Sequence, residues 1–510
     1  MPSRRAHPFL GKIPAPVRRL GEFLSEKGRT DLLEITYAYD ALGGGNFLNR
    51  TVFSDYGGVS FGPRPTRAQL RAAVETVRAK LDEDVAAVRA LVAECRALGL
   101  DPRAKIAVGA ARAAVRLLRF TREGLVFEAE KAGLPTGLSA RQVEEAVVRL
   151  EKLEAPLYGG TVRSKPAEAR AALGSLAQEL AGVGGRATPA LRAVVRRAAR
   201  KMARAAGLPG VFPVPVSKIP AEAPAPGPDL SWKVPREKYV EAFREAIRFY
   251  GLDVQVKVDG GFRFVYDGNG TLYVPASREF ATRPAINALG LIAHEIEAHY
   301  VVRHNGARVC GGLRGAGYLA REEGLALYLE LLLKERPIGP ALSLDWFQLA
   351  AEALPGDDFR TLMAASARMA GDAGEWTEPR FLRIKRGYPV RGVGCQHKDC
   401  SYVRGLAGVL LGAKSQGSVA DLFCGNFSFR DAVGLSKLRG GPAVFPVLPA
   451  FLAEAAKSVL AEGNFSMPDF ERLVRSRYAA VISGYGARRP WRDPGFAAAA
   501  LRIARLLART

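Results

Sequence analysis

The spacing of apolar and polar residues divides this chain into a helical first part and a mixed second part. Over residues 66–97, Leu70, Val74, Val77, Leu81, Val85, Val88 and Leu91 recur at three- and four-residue intervals, which places them on one stripe of a long amphipathic helix. The composition stays rich in Ala, Arg, Leu, Val and Glu to about residue 207. Glycine-bearing breaks at 133–137, 158–160 and 182–185 predict several more helices. The last, over 189–206, carries Arg192, Arg196, Arg197, Arg200, Lys201 and Arg204 without an acid, and sets Leu191, Val194, Val195, Ala198 and Met202 on one face. A solvated face on a core helix is the plainer reading, and a helix that binds an acidic surface is the alternative. Residues 1–65 show no clear period.

Seven prolines (Pro209, Pro213, Pro215, Pro220, Pro224, Pro226 and Pro228) make 207–230 an extended linker or surface strap. Beyond it the period changes. Residues 236–250 read as a helix, and 254–258 and 262–266 alternate as strands. Asp267-Gly268-Asn269-Gly270 is a turn, and 271–274 is the returning strand, just upstream of the candidate site. A helix is expected from about Pro284 through His294, and further strand and helix pieces at 379–387, 402–411 and 419–438. An amphipathic helix is expected at 494–510. Three units follow: a mainly helical region 1–206, the linker 207–230 and a domain 231–510.

Charge and cysteine use narrow the setting. The net charge of +23, from 74 basic and 51 acidic residues among 510, favours acidic partners. Five scattered cysteines fit reduced thiols in a cytoplasmic protein better than a disulfide framework. The basic start, Met1-Pro2-Ser3-Arg4-Arg5, leads into no apolar run, because Pro8, Lys12, Pro14 and Pro16 interrupt it; no signal peptide and no transmembrane segment are expected.

The candidate chemistry lies in the predicted helix. Three of the five histidines, His294, His299 and His304, fall within eleven residues, Glu295 follows His294, and Glu323 lies on a second predicted helix. A zinc hydrolase needs three protein ligands and one open position, with a carboxylate nearby to move the water's proton. His294, His299 and Glu323 supply the ligands of one Zn2+ and Glu295 the base; Glu297 reads as a supporting or surface acid. The usual histidine pair is spaced i, i+4, whereas here it is i, i+5. On an ideal α-helix that spacing turns the imidazoles about 140° apart. A π-bulge between Ala293 and Val301 would bring them together, and such bulges gather at functional sites. The rival readings are that the two histidines do not share a metal, or that His304 replaces Glu323. Cys395, His397 and Cys400 are spaced unlike a zinc site and read as part of a loop.

The segments His294-Glu295-Ile296-Glu297-Ala298-His299, Arg303, Asn305 and Glu322-Glu323-Gly324-Leu325-Ala326 resemble a family in which HExxxH is followed by a QEGLA-type motif. It contains the microtubule-associated tyrosine carboxypeptidases and bacterial flavohaemoglobin expression-modulating QEGLA-motif proteins. Glu322 stands where the family has Gln. Segments 383–387, 398–402 and 422–425 resemble it too, and the likeness covers roughly 231–455. It implies a zinc carboxypeptidase that removes one C-terminal residue, aromatic in the eukaryotic members. Such an enzyme needs a cation for the substrate's terminal carboxylate; Arg383, Lys385, Arg386 and Lys398 are the candidates, and Tyr402 could donate to the oxyanion. The expected fold is α+β: a gluzincin-like metallopeptidase domain with a small antiparallel sheet and an active-site helix, after a mostly helical N-terminal region. The expected partner is an acidic protein or peptide C-terminus. A regulatory protein that binds nucleic acid through the basic helices, or an endopeptidase, is the alternative.

Overall fold

The computed structural model describes residues 13–26, 66–99, 101–131, 133–158, 230–259, 265–266, 270–315, 317–334, 354–369, 377–399, 419–437, 450–462 and 494–509, with single residues and pairs at 351, 401–402, 405–406, 408–409 and 468. The basic helix expected at 189–206 and nearly all of the linker lie outside them.

The first part is helical: α1 (Ala15–Ser25), α2 (Arg67–Ala97), α3 (Pro102–Lys131) and α4 (Ala140–Tyr158). Thr66 caps α2 with its hydroxyl while the Gln69 side chain answers the Thr66 backbone, so the first turn's spare N–H groups are met locally. The stripe read from the sequence is buried: Leu70, Val74, Val77, Leu81, Val85 and Val88 face α3 and α1.

The second part begins with β1 (Lys233–Pro235) and α5 (Arg236–Tyr250), which ends on Gly251 in the left-handed conformation, φ 61°. Then come β2 (Gln255–Asp259), β3 (Val265–Tyr266), β4 (Thr271–Pro275) and β5 (Thr282–Pro284). β1 pairs with β5 antiparallel. β3 pairs with β4 antiparallel, as the turn signal implies, but β2 pairs with β4 in parallel. The three-stranded sheet is therefore mixed, and β4 is its middle strand. The small antiparallel sheet expected from the sequence is the β1–β5 pair, while the returning strand at 271–274 sits in the middle of a mixed sheet. The reason lies in burial: Leu272 and Val274 are fully covered, whereas β2 is largely exposed and takes the outer place.

β5 leads directly into α6 (Ala285–Leu291), a π-helical turn (Ile292–Tyr300) and α7 (Val301–Cys310). Then follow α8 (Tyr318–Lys334), α9 (Gly356–Met369), α10 (Thr377–Ile384), a 3-10 turn (Val419–Cys424), α11 (Phe429–Lys437), α12 (Ala450–Glu462) and α13 (Pro494–Leu507). The molecule is mostly helical with small sheets, an α+β arrangement. One cluster of buried apolar residues runs from Val17 in α1 through the π turn to Leu507 in α13, so packing crosses the linker. Among the described residues no helix is long and apolar enough to cross a membrane.

Candidate metal centre

The helix through the two histidines widens where the i, i+5 spacing requires it. Nine residues, Ile292–Tyr300, form a π turn, and the Val301 N–H bonds back to the Ile296 carbonyl five residues earlier. His294 and His299 thereby come onto one side, with ring centroids 5.1 Å apart and planes at 67°. Nε2 of each faces the same oxygen of Glu323, on the facing helix α8: His294 Nε2 lies 3.9 Å and His299 Nε2 3.6 Å from Glu323 Oε2. Among the described residues, His294, His299 and Glu323 form the group whose ligand atoms, all within 4.8 Å of one another, could hold one ion.

The donor set fits a zinc ion. Ligands about 2.0–2.1 Å from zinc at tetrahedral angles stand about 3.3 Å apart, slightly closer than the two separations here. Glu323 Oε2 is buried and meets no hydrogen-bond donor, a costly arrangement unless a cation completes it. The two imidazoles are held from behind by carboxylates. His294 Nδ1 lies 3.2 Å from Glu330 Oε2, and His299 Nδ1 lies 2.8 Å from Glu322 Oε1. A carboxylate on Nδ1 keeps the proton there and leaves the Nε2 lone pair for a metal.

The electrostatics favour a cation. Burial alone would lower the His294 pKa, but the Glu330 hydrogen bond and the charges of Glu295, Glu330 and Glu323 raise it to about 9. His299 is raised too: burial opposes, and Glu322, Glu323 and Glu295 outweigh it. Glu295, beside His294 on the π turn, thus acts on both rings. Burial would raise the Glu322 carboxyl, but Arg303, the His299 hydrogen bond and Arg314 hold it at about 2. Glu322 also accepts from Arg303 Nε at 3.3 Å and from the Asn426 amide. Arg321, fully buried, donates to the carbonyls of Leu422, Gly425 and Phe427, which fixes the loop that carries Asn426. Asn305 donates to the Phe423 carbonyl of the same loop at 2.9 Å.

His304 lies on α7 and takes no part in this group; its pKa is lowered by burial and by Arg308. Sequence reasoning missed Glu330 and gave Glu322 no task. The available signal was their position on α8: Glu330 is seven residues beyond Glu323, so both lie on one helix face.

The candidate carboxylate-binding cations separate. Lys385 is fully buried and donates to the Gly392 and Gly394 carbonyls at 2.7 and 2.8 Å. It holds a loop, which removes it from the substrate-binding candidates. Arg383 pairs with Asp399 at 2.5 Å, and Arg386 is buried nearby. Lys398 is also buried. Burial pushes its ammonium down to about 7 against the pull of Glu323, with Arg386 and Arg383 adding to the fall and Asp399 opposing it. Lys398 is thus a cation that feels the charge of the metal-facing glutamate. Tyr402 follows in a short helical turn, half-buried, its N–H donating to the Asp399 carbonyl at 3.3 Å. Cys395 is a buried free thiol, and His397 Nδ1 lies 3.2 Å from Glu154 of α4, so this segment is a packed loop.

No family model and no curated protein matches the chain.

Proposed function

We propose that the protein is a zinc-dependent metallopeptidase of carboxypeptidase type, which removes one residue from the C-terminus of a protein or peptide. The observation that carries this reading is the convergence of His294 Nε2, His299 Nε2 and the unpartnered Glu323 Oε2, with Glu295 beside them. A bound zinc ion would activate water and polarise the scissile carbonyl. Glu295 takes the proton from the attacking water and passes it to the leaving amine, the role its position next to His294 allows. Lys398 receives the substrate's terminal carboxylate, and Tyr402 donates to the oxyanion of the tetrahedral intermediate. A buried cation beside the metal-facing glutamate favours exopeptidase over endopeptidase action, because it gives a chain end a partner that an internal bond lacks. The resemblance to tyrosine carboxypeptidases makes an aromatic terminal residue the first to try, and the charge of +23 favours acidic tails.

The test is metal analysis of purified protein, followed by C-terminal profiling of peptides that differ in their last residue. One zinc per chain and loss of single terminal residues are expected. Glu295→Gln should keep the zinc and lose the cleavage. Absence of zinc from the wild-type protein, or cleavage confined to internal bonds, would overturn the carboxypeptidase reading.

A further inference from the structure

Glu297 lies between the two histidines in sequence, yet its carboxyl group points into the protein. It is fully buried in the middle of the π turn. Its Oε1 accepts from the Tyr250 hydroxyl at 2.7 Å and from the Ala453 N–H at 3.4 Å. Tyr250 is the last residue of α5. Ala453 lies in the first turn of α12. One carboxyl oxygen therefore ties the widest point of the turn to the ends of two helices. The other, Oε2, is buried without a hydrogen-bond partner. An apolar side chain would fill this space without the cost of burying a carboxyl. The group is placed as a tether rather than as filling.

Such a tether answers a physical need. The i to i+5 pattern is rare compared with the α-helix, and a turn free to relax to i, i+4 bonding would carry His299 away from His294. We infer that Glu297 is a positioning residue for the metal centre: anchored to α5 and α12, it holds the π turn in the register that presents both Nε2 atoms to Glu323. This rests on reading the cluster as a metal site.

The test uses the full chain, metal-free and zinc-loaded, with Glu297→Gln, Glu297→Ala and Tyr250→Phe. Three readouts are needed: zinc affinity by chelator competition, the visible spectrum of the cobalt-substituted protein, and amide hydrogen exchange across 292–301. Gln keeps the accepting oxygen, so Glu297→Gln should bind zinc nearly as the wild type does, with the same cobalt spectrum. Glu297→Ala should bind about 10-fold or more weakly, the range seen when groups that orient ligands are lost, with an altered cobalt spectrum and faster exchange of the turn. Tyr250→Phe should fall between the two. An Ala variant with wild-type affinity, spectrum and exchange overturns the inference. If that variant does not fold, an unchanged Tyr250→Phe overturns it instead. If the wild type binds no zinc, the metal reading fails, and exchange in the metal-free chain still decides whether Glu297 holds the turn.

Discussion

At Glu322 one carboxylate meets three donors, His299 Nδ1 at 2.8 Å, Arg303 Nε at 3.3 Å and the Asn426 amide. It fixes the tautomer and tilt of an imidazole in the proposed zinc site, so its loss should be felt in zinc binding. Glu322→Ala should weaken zinc binding about 10–100-fold, while Glu322→Gln, which can still accept from His299, should cost less; chelator competition measures both. The convergence of His294, His299 and Glu323 was legible because a metal site would need those residue types at such a spacing. That Lys385 holds a loop while Lys398 couples to Glu323 was not, since four neighbouring cations look alike until the chain is folded. Lys385 also carries a pH signature. Burial lowers its pKa to about 8 from the ordinary 10.5, so between these values the unfolded chain binds a proton that the native state lacks. Stability from this group is present above about 10.5 and lost as pH falls through about 8, a difference of about 3 kcal/mol. Urea unfolding at pH 7, 8, 9 and 10 should show Lys385→Met lacking part of the wild type's rise over that range.

Among the elements, the π turn was foreseeable from one number, the five-residue offset of the histidines, because an undistorted helix cannot aim both at one ion. The middle place of β4 was not. Alternation reports which face of a strand is buried, and says nothing of which edge is paired. Helix α8 holds a further constraint that its sequence states only as a glycine. A Cβ added at Gly324 would come within 2.0 Å of the Gly405 carbonyl carbon, and one at Gly405 within 1.7 Å of the Ala320 carbonyl oxygen. Backbone meets backbone here, one residue from Glu323, and no side chain can swing aside. Gly324→Ala should therefore cost about 3 kcal/mol or more, the upper end for overpacking, and should weaken zinc binding by displacing Glu323. Chemical denaturation and chelator competition on the same sample check both effects.

At the scale of the whole molecule, the two parts that the Pro-rich stretch separates in sequence depend on each other. Glu154 of α4 is fully buried; it accepts from the Tyr388 hydroxyl at 2.7 Å and meets His397 through both its backbone N–H and its ring. Lys131 of α3 donates to the Lys385 carbonyl at 2.8 Å, and Glu128 accepts from the Gly387 N–H. Phe120 packs against Tyr388 with ring centroids 5.8 Å apart. The helical first part thus shapes the 385–399 segment that carries Lys398, a dependence no local pattern in either part could reveal. A protease recognition sequence placed within 207–229 makes this testable. After cleavage the two fragments should stay together in gel filtration with the zinc affinity of the uncut chain, because the shared core does not need the covalent link. Glu154→Ala leaves the Tyr388 hydroxyl and the His397 groups without their buried acceptor, a loss of about 3–5 kcal/mol by analogy with broken buried pairs. In the cleaved protein it should let the fragments separate. In the intact chain it should lower stability and loosen the Lys398 segment, read as faster hydrogen exchange across 385–399. Fragments that part as soon as the wild-type linker is cut would show that the contacts across it do not hold the molecule together.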